Sequence, residues 1–373
     1  MSRRTHTSVT IHPFFASNKL LVVLSVAVCV AAGSLVAVSR ADTPFVSAEP
    51  ELGSVSAPAT VITDSAASAG KDINFTTASS GGGTINSTTP CGATPAPLQW
   101  KHVIVLMFEN KQYSSVIGSS SAPFISGLAT KCGSYASWKD ADFKVDGSSD
   151  GTYISKPNYA TLTSGVSPSV HGLKDDAYST TSSVDNIFNR LNQAGKMAKS
   201  YVSGTGGSCA SSNFSGAYHD AMRYYTNLGG QSSSPSTYCN THDVPIADLM
   251  TDINSGNLPA YSLVLPTNSQ NMHDVPVSTG DSWAQTFLTP ILDSAQYKSG
   301  DTAIFFLWDE DTPIPNVLIA PSIVPGSHPT LAAGSNPISH FSALRTHQEM
   351  LGVTPLLGNT GQAPSLLNYF NGH

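Results

Sequence analysis

Two almost unbroken apolar runs, His102–Phe108 (His-Val-Ile-Val-Leu-Met-Phe) and Thr302–Trp308 (Thr-Ala-Ile-Phe-Phe-Leu-Trp), limit what this chain can fold into. A strand with one wet face alternates apolar and polar residues, whereas a strand covered on both faces does not. Both runs therefore predict central strands of a sheet held between helices. Further strands are predicted at 198–202, 260–265 and 316–320. Helices are predicted at 123–130, 185–194, 246–253, 283–295 and 341–352, from apolar residues at helical spacing such as Ile187, Phe188 and Leu191. Strands alternating with helices indicate an α/β layered domain with a central, largely parallel sheet. In such sheets ligands sit beyond the carboxyl ends of the strands.

Both runs end in acids. Phe108 is followed by Glu109 and Asn110, and Trp308 by Asp309, Glu310 and Asp311. Charged residues make up only 12% of the chain, so acids at two strand ends stand out. If the strands are neighbours, Glu109, Asn110, Asp309 and Glu310 converge. Clustered carboxylates repel one another, and a divalent cation is their natural counter-charge.

Ser155 stands two residues before Pro157. Proline suits the first turn of a helix and biases the preceding Lys156 towards an extended conformation. Ser155 is thus predicted where an extended segment enters a helix, beside backbone N–H groups that attract phosphate. His219 and His273 each precede an aspartate in a polar stretch. Imidazoles so placed can hold phosphate or protonate a leaving alcohol. His171 and His340 read as structural, the first closing a turn before Gly172 and the second capping a helix. Ser203-Gly204-Thr205-Gly206-Gly207 is glycine-rich, but no helix clearly follows, which argues against a phosphate-binding loop.

Residues 20–38 are apolar and uncharged, preceded by Arg3, Arg4 and Lys19 and followed by Ser39-Arg40-Ala41. This pattern reads as an export signal spanning 1–41, with a membrane anchor formed by uncleaved 20–38 as the alternative. Residues 42–95, rich in Ser, Ala, Thr and Gly, read as a linker, leaving 96–373 as the folded domain. Outside the signal, Cys91, Cys132, Cys209 and Cys239 are an even number in an exported chain and predict two disulfides. Of three connectivities, sequential pairing is expected. A zinc site would need close Cys-x-x-Cys pairs, which are missing. The net charge is −7, and the signal takes away only basic residues. Such a chain is a poor partner for nucleic acid or an anionic membrane.

Taken in order, His102 to Lys111, Pro157 to Gly165, His219, Leu258 to Ser262, Asn271 to Asp274, Gly280 to Trp283, Trp308 to Glu310 and Ser339 to Thr346 resemble the phosphoesterase family. That family contains bacterial acid phosphatases and phosphatidylcholine-type phospholipases C, and is similar to the alkaline phosphatase superfamily. The resemblance implies an alkaline phosphatase-like fold and a hydrolase of phosphoric ester bonds. It implies that Glu109, Asn110, Asp309 and Glu310 bind one divalent metal ion together with the Ser155 oxygen. Ser155 would be the nucleophile, with His219 and His273 holding phosphate or assisting the leaving group. The chain departs from the family where His219-Asp220-Ala221 stands for His-Asn-Pro, and where Gln270-Asn271 precedes Met272. The expectation is a secreted, metal-dependent phosphomonoesterase that acts on a small phosphate ester through a phosphoserine. The alternatives are a phospholipase C-type phosphodiesterase and an exported binding protein without activity.

Overall fold

The computed structural model describes residues 84–177, 180–204, 209, 219–230 and 236–372, together with the backbone of two strands at 59–63 and 71–75. The chain divides into two units, residues 1–78 and 79–373. In the first, β1 (Ala59–Thr63) and β2 (Lys71–Phe75) pair antiparallel, with Val61 opposite Ile73. The predicted export signal lies outside the described residues. Among the described residues no helix is long and apolar enough to cross a membrane.

The second unit is built on a sheet of β3 (His102–Phe108), β4 (Ala198–Val202), β5 (Asp243–Pro245), β6 (Tyr261–Leu265), β7 (Thr302–Trp308) and β8 (Asn316–Ile319), in the order β5-β4-β6-β3-β7-β8. All neighbours are parallel except β7 and β8, the antiparallel edge. Every residue of β6, β7 and β8 is buried, as is all of β3 beyond His102. This is why the two founding runs lack alternation: both of their faces are covered.

The two layers can be read from β7. Phe305 meets His347 of α6 (His340–Leu351) with ring centres 4.4 Å apart. Its neighbour Phe306 points the other way, to Phe108 at 4.8 Å, and Phe108 in turn meets Trp283 of α5 (Val277–Asp293). Successive side chains of a strand leave opposite faces, so α5 and α6 lie on opposite sides of the sheet. With α6 packs α2 (Ser155–Ser164), beside α3 (Ile187–Gln193); with α5 packs α1 (Pro123–Lys131); α4 (Asp248–Ser255) precedes β6.

Three sequence expectations shift. Helix α5 begins at Val277, not at 283. Its polar first turns have little intrinsic helix preference, but Asp281 has a tertiary role there. Its carboxylate accepts from the N–H groups of Phe124 (3.2 Å) and Ile125 (2.8 Å), capping α1 where Ala122 cannot. Lys156 is helical rather than extended, because α2 starts at Ser155 and places Pro157 third, where its missing N–H would be unpaired anyway. Residues 84–95, expected to be linker, pack with the folded body. Ile85, Cys91 and Ala93 join the core, Ser87 bonds Asp293, and Ala93 bonds the Pro321 carbonyl. A disulfide and backbone hydrogen bonds hold this segment, so apolar periodicity does not reveal it. The pairing is the sequential one: Cys91–Cys132 and Cys209–Cys239, with Cα atoms 5.3 and 5.7 Å apart.

His347 gives one measurable consequence of the packing. It is fully buried against Phe305 and Tyr261, neither ring nitrogen has a partner among the described residues, and burial pushes its pKa down to about 3. The folded state therefore refuses a proton that the unfolded chain accepts below about 6.5. Stability from this group is full above that value and is lost as pH falls, by roughly 2–3 kcal/mol at pH 4.5. His347→Leu is expected to leave Tm near the parent value at pH 7.5 and to reduce its fall by pH 4.5. Parallel Tm curves for the two proteins would refute this.

Candidate active site

Glu109 and Asp309 follow adjacent strands that are paired in register up to Phe108 and Trp308, so the two carboxyls emerge side by side. The Asp309 N–H donates to the Phe108 carbonyl (3.2 Å), and the Glu109 N–H donates to Asn271 (2.9 Å), in the loop that follows β6. Asn110, Met272 and Asp311 are the non-glycine residues with positive φ among the described residues, at 42°, 77° and 75°. All three lie in the turns leaving β3, β6 and β7. Such conformations cost about 1 kcal/mol or more each and persist where the surroundings enforce them. Here the Asn110 N–H is tied to Asp309 Oδ1 at 3.1 Å, and the Nε2 of His340, from α6, lies 2.8 Å from the Asp309 carbonyl.

Helix α2 delivers the serine. It is buried along its whole length and has no polar face, so its hydroxyls bond inward. Thr163 and Ser164 bond back to the carbonyls of Tyr159 (2.7 Å) and Ala160 (2.6 Å). Asn158 accepts from the Ala141 N–H, tying α2 to the loop before it. Lys156 is buried: its ammonium bonds Ala177 and Thr180 and lies 3.9 Å from the Tyr224 ring centre. Ser155 Oγ donates to Glu109 Oε2 at 2.9 Å. One turn later, the Tyr159 hydroxyl makes a short hydrogen bond to Glu109 Oε1. His219 stacks on Tyr159, with ring centres 5.1 Å apart, and brings Nε2 to 3.3 Å from the same Oε1. His273 lies 6.3 Å from His219, ring to ring, and its Nδ1 is 2.6 Å from Asp274.

The phosphate seat expected from the N–H groups of this helix is poorer than the sequence suggests. The Lys156 N–H is taken by Asp176 at 2.8 Å, and Pro157 has none. Negative charge at Ser155 must be met mainly by other groups.

Burial, followed by the charge of Asp309, holds the Glu109 pKa well above its usual range. Burial raises Asp309 to about 6, and burial with the Asp309 charge raises Glu310 to about 9. Burial, aided by His273, keeps His219 well below its usual value, so its approach to Glu109 is a neutral contact rather than an ion pair. Asn110 Oδ1, Asp309 Oδ2 and Glu310 Oε2 are buried acceptors with no donor among the described residues. Orphaned hard oxygens beside a buried carboxyl pair fit a divalent cation. Among the described residues no three His, Cys, Asp or Glu side chains form a metal cluster by themselves. Glu109, Asp309 and Glu310 therefore do not converge as a set of three, and the fit rests on Glu109 and Asp309 with the neutral oxygens of Asn110 and Ser155.

Of the residues singled out in the sequence, Ser155, Glu109 and His219 are in direct contact. Asp309 and Asn110 complete the same ridge, Glu310 lies half-buried beside it, and His273 stands at one side. One neighbour, Tyr159, escaped the sequence reading, and another, His340, reads there only as a structural helix cap. Tyr159 was visible as the residue one helical turn from Ser155. His340 sits at the first helical position after its cap, Ser339, and nothing in its local sequence signals contact with Asp309.

Residues 149–331 match the Phosphoesterase family, a stretch that holds Ser155, His219, His273, Asp309 and Glu310 but not Glu109 or Asn110. A phosphatidylinositol-3-phosphatase of Mycobacterium tuberculosis is 26% identical over 71% of this chain and 81% of its own. A probable acid phosphatase of Kluyveromyces lactis is 22% identical over 57% of this chain, which spans about half (48%) of that protein. Among solved structures, an alkaline phosphatase superfamily protein of Vibrio parahaemolyticus aligns at a TM-score of 0.46 and 16% identity, over 72% of each chain. That last likeness is too distant to carry an argument. The family match and the two phosphatase relatives do: residues 149–331 are similar to the Phosphoesterase family, and the chain is a hydrolase of phosphoric ester bonds.

Proposed function

We propose that the chain is an exported, metal-dependent phosphomonoesterase with Ser155 as its nucleophile. The observation that carries this reading is the Ser155 hydroxyl, buried at the start of α2 and bonded to Glu109 beside orphaned oxygens of Asp309 and Asn110. Glu109, Asn110, Asp309, Glu310 and the Ser155 oxygen would hold one divalent cation. When bound, that cation supplies Lewis acidity that favours the ionised hydroxyl and draws charge from the phosphoryl oxygens. Ser155 loses its proton towards Glu109 and attacks phosphorus in line with the leaving alcohol. His219, held neutral, assists by donating a hydrogen bond to a phosphoryl oxygen, and His273 donates one there or a proton to the leaving alkoxide. Nδ1 of His273 is engaged by Asp274, which leaves Nε2 for that work. Water then releases phosphate from the phosphoserine, and two inversions give net retention. The two disulfides fit an oxidising, extracellular setting.

The substrate is read as a monoester of small to moderate size. The named activity of the mycobacterial relative brings phosphoinositide headgroup monoesters into consideration. The deciding assay compares p-nitrophenyl phosphate, bis-p-nitrophenyl phosphate and phosphatidylinositol 3-phosphate, with the mature chain across divalent metals and pH. Faster turnover of the monoesters is expected. Preference for the diester would replace this reading with a phospholipase C-type activity, and no turnover of any of the three would favour a binding protein.

A further inference from the structure

We propose that Tyr159 is a positioning residue of this centre, fixing one oxygen of Glu109 so that the other is presented to Ser155, and carrying His219 on its ring. The inference rests on the reading of Glu109 as a ligand of the catalytic cation. Ser155 and Tyr159 are four residues apart on α2, and that spacing places both side chains on one face of the helix. Each takes a different oxygen of the same carboxylate: Ser155 bonds Oε2 and Tyr159 bonds Oε1. A carboxylate held at one oxygen can still turn about its terminal bond and exchange its two oxygens. Held at both, it keeps one edge towards the nucleophile.

The same ring has a second contact. His219 lies parallel to it, with an interplanar angle of 17°, and approaches the same Oε1. Tyr159, His219 and Glu109 therefore form a closed triangle that joins α2, the end of β3 and the segment that holds His219. Tyr159 is itself 1% exposed, so its place in this triangle is set by packing, not by solvent. Tyr159 does not touch the substrate in this scheme; it acts through Glu109, which holds the cation, and His219, which meets the phosphate.

Two variants separate the hydroxyl from the ring. Tyr159→Phe keeps the buried ring and the stack and removes only the hydroxyl. Tyr159→Leu removes both. Each is compared with the parent mature chain in kcat and KM for p-nitrophenyl phosphate, and in calorimetric binding of Mn2+ to the metal-stripped protein. Loss of a hydrogen bond to a buried charged group corresponds to roughly 10–100-fold. Tyr159→Phe is expected to lower kcat by about 10-fold or more, with KM nearly unchanged, and to weaken Mn2+ binding. Tyr159→Leu is expected to go further and to raise KM as well, because His219 loses its support. A role in packing alone predicts that the Phe variant matches the parent in kcat and Mn2+ affinity, and that outcome overturns the proposal. If the parent itself binds no Mn2+, the cation reading fails and this inference falls with it. If the parent binds Mn2+ and the Phe variant is unchanged, only this inference falls.

Discussion

Ser155→Ala is expected to abolish phosphate release, with kcat falling on the order of 10^4-fold or more, as for other removed nucleophiles. The fold should not notice. The Ser155 side chain hydrogen-bonds to Glu109, and alanine is the better helix former at that position. Tm and circular dichroism should therefore match the parent, which separates loss of chemistry from loss of structure. Acid quenching during turnover should trap a phosphoserine in the peptide that contains Ser155 and none in the variant. A chiral phosphate product should show retention. Residual turnover within about 10-fold of the parent, a label on another residue, or net inversion would each remove Ser155 from the nucleophile's role.

The parts of the fold that were legible in the sequence are those with one dominant physical cause. β3 and β7 occupy the residues expected for them, because burial on both faces leaves an apolar run with clear ends. The acids after β3 and β7 were legible for the same reason: once the strands are placed in parallel, their carboxyl ends must meet. Helix α2 was harder, since a helix buried all round has no amphipathic stripe, and only Pro157 marked its start. What the sequence hid depends on long-range partners. Asp281 capping α1, Cys91 drawing residues 84–95 into the body, and His340 reaching the Asp309 carbonyl are contacts across 31 residues or more. The occupied Lys156 N–H belongs to the same class. Asp176 takes it from 20 residues away, and no local rule foretells that.

The acid ridge makes a second prediction that tests stability and catalysis together. Asp309 lies beside Glu109 with its Oδ2 unpaired among the described residues, and the pKa values of Glu109, Asp309 and Glu310 are all raised, first by burial. A carboxyl with a raised folded-state pKa contributes stability below its unfolded value and loses it as pH rises through the folded one. Metal-stripped protein should therefore lose stability through this ridge as pH rises from about 4 towards the values near 6 and 9 of Asp309 and Glu310. This is opposite in sign to the effect of His347. A divalent cation replaces the missing protons, so its addition should raise Tm most at the alkaline end, by an amount that grows with its concentration. Asp309→Asn removes one of the repelling charges and one ligand. It should raise the Tm of the metal-stripped protein at pH 8, flatten its pH dependence, weaken the response to added Mn2+, and lower kcat by on the order of 10^2-fold or more. Chelation should silence the parent and be reversed by metal. Should Asp309→Asn leave kcat intact, or should the parent show the same Tm with and without divalent cations at pH 8, the ridge is not a metal seat. The raised carboxyls would then have to be explained by shared protons alone.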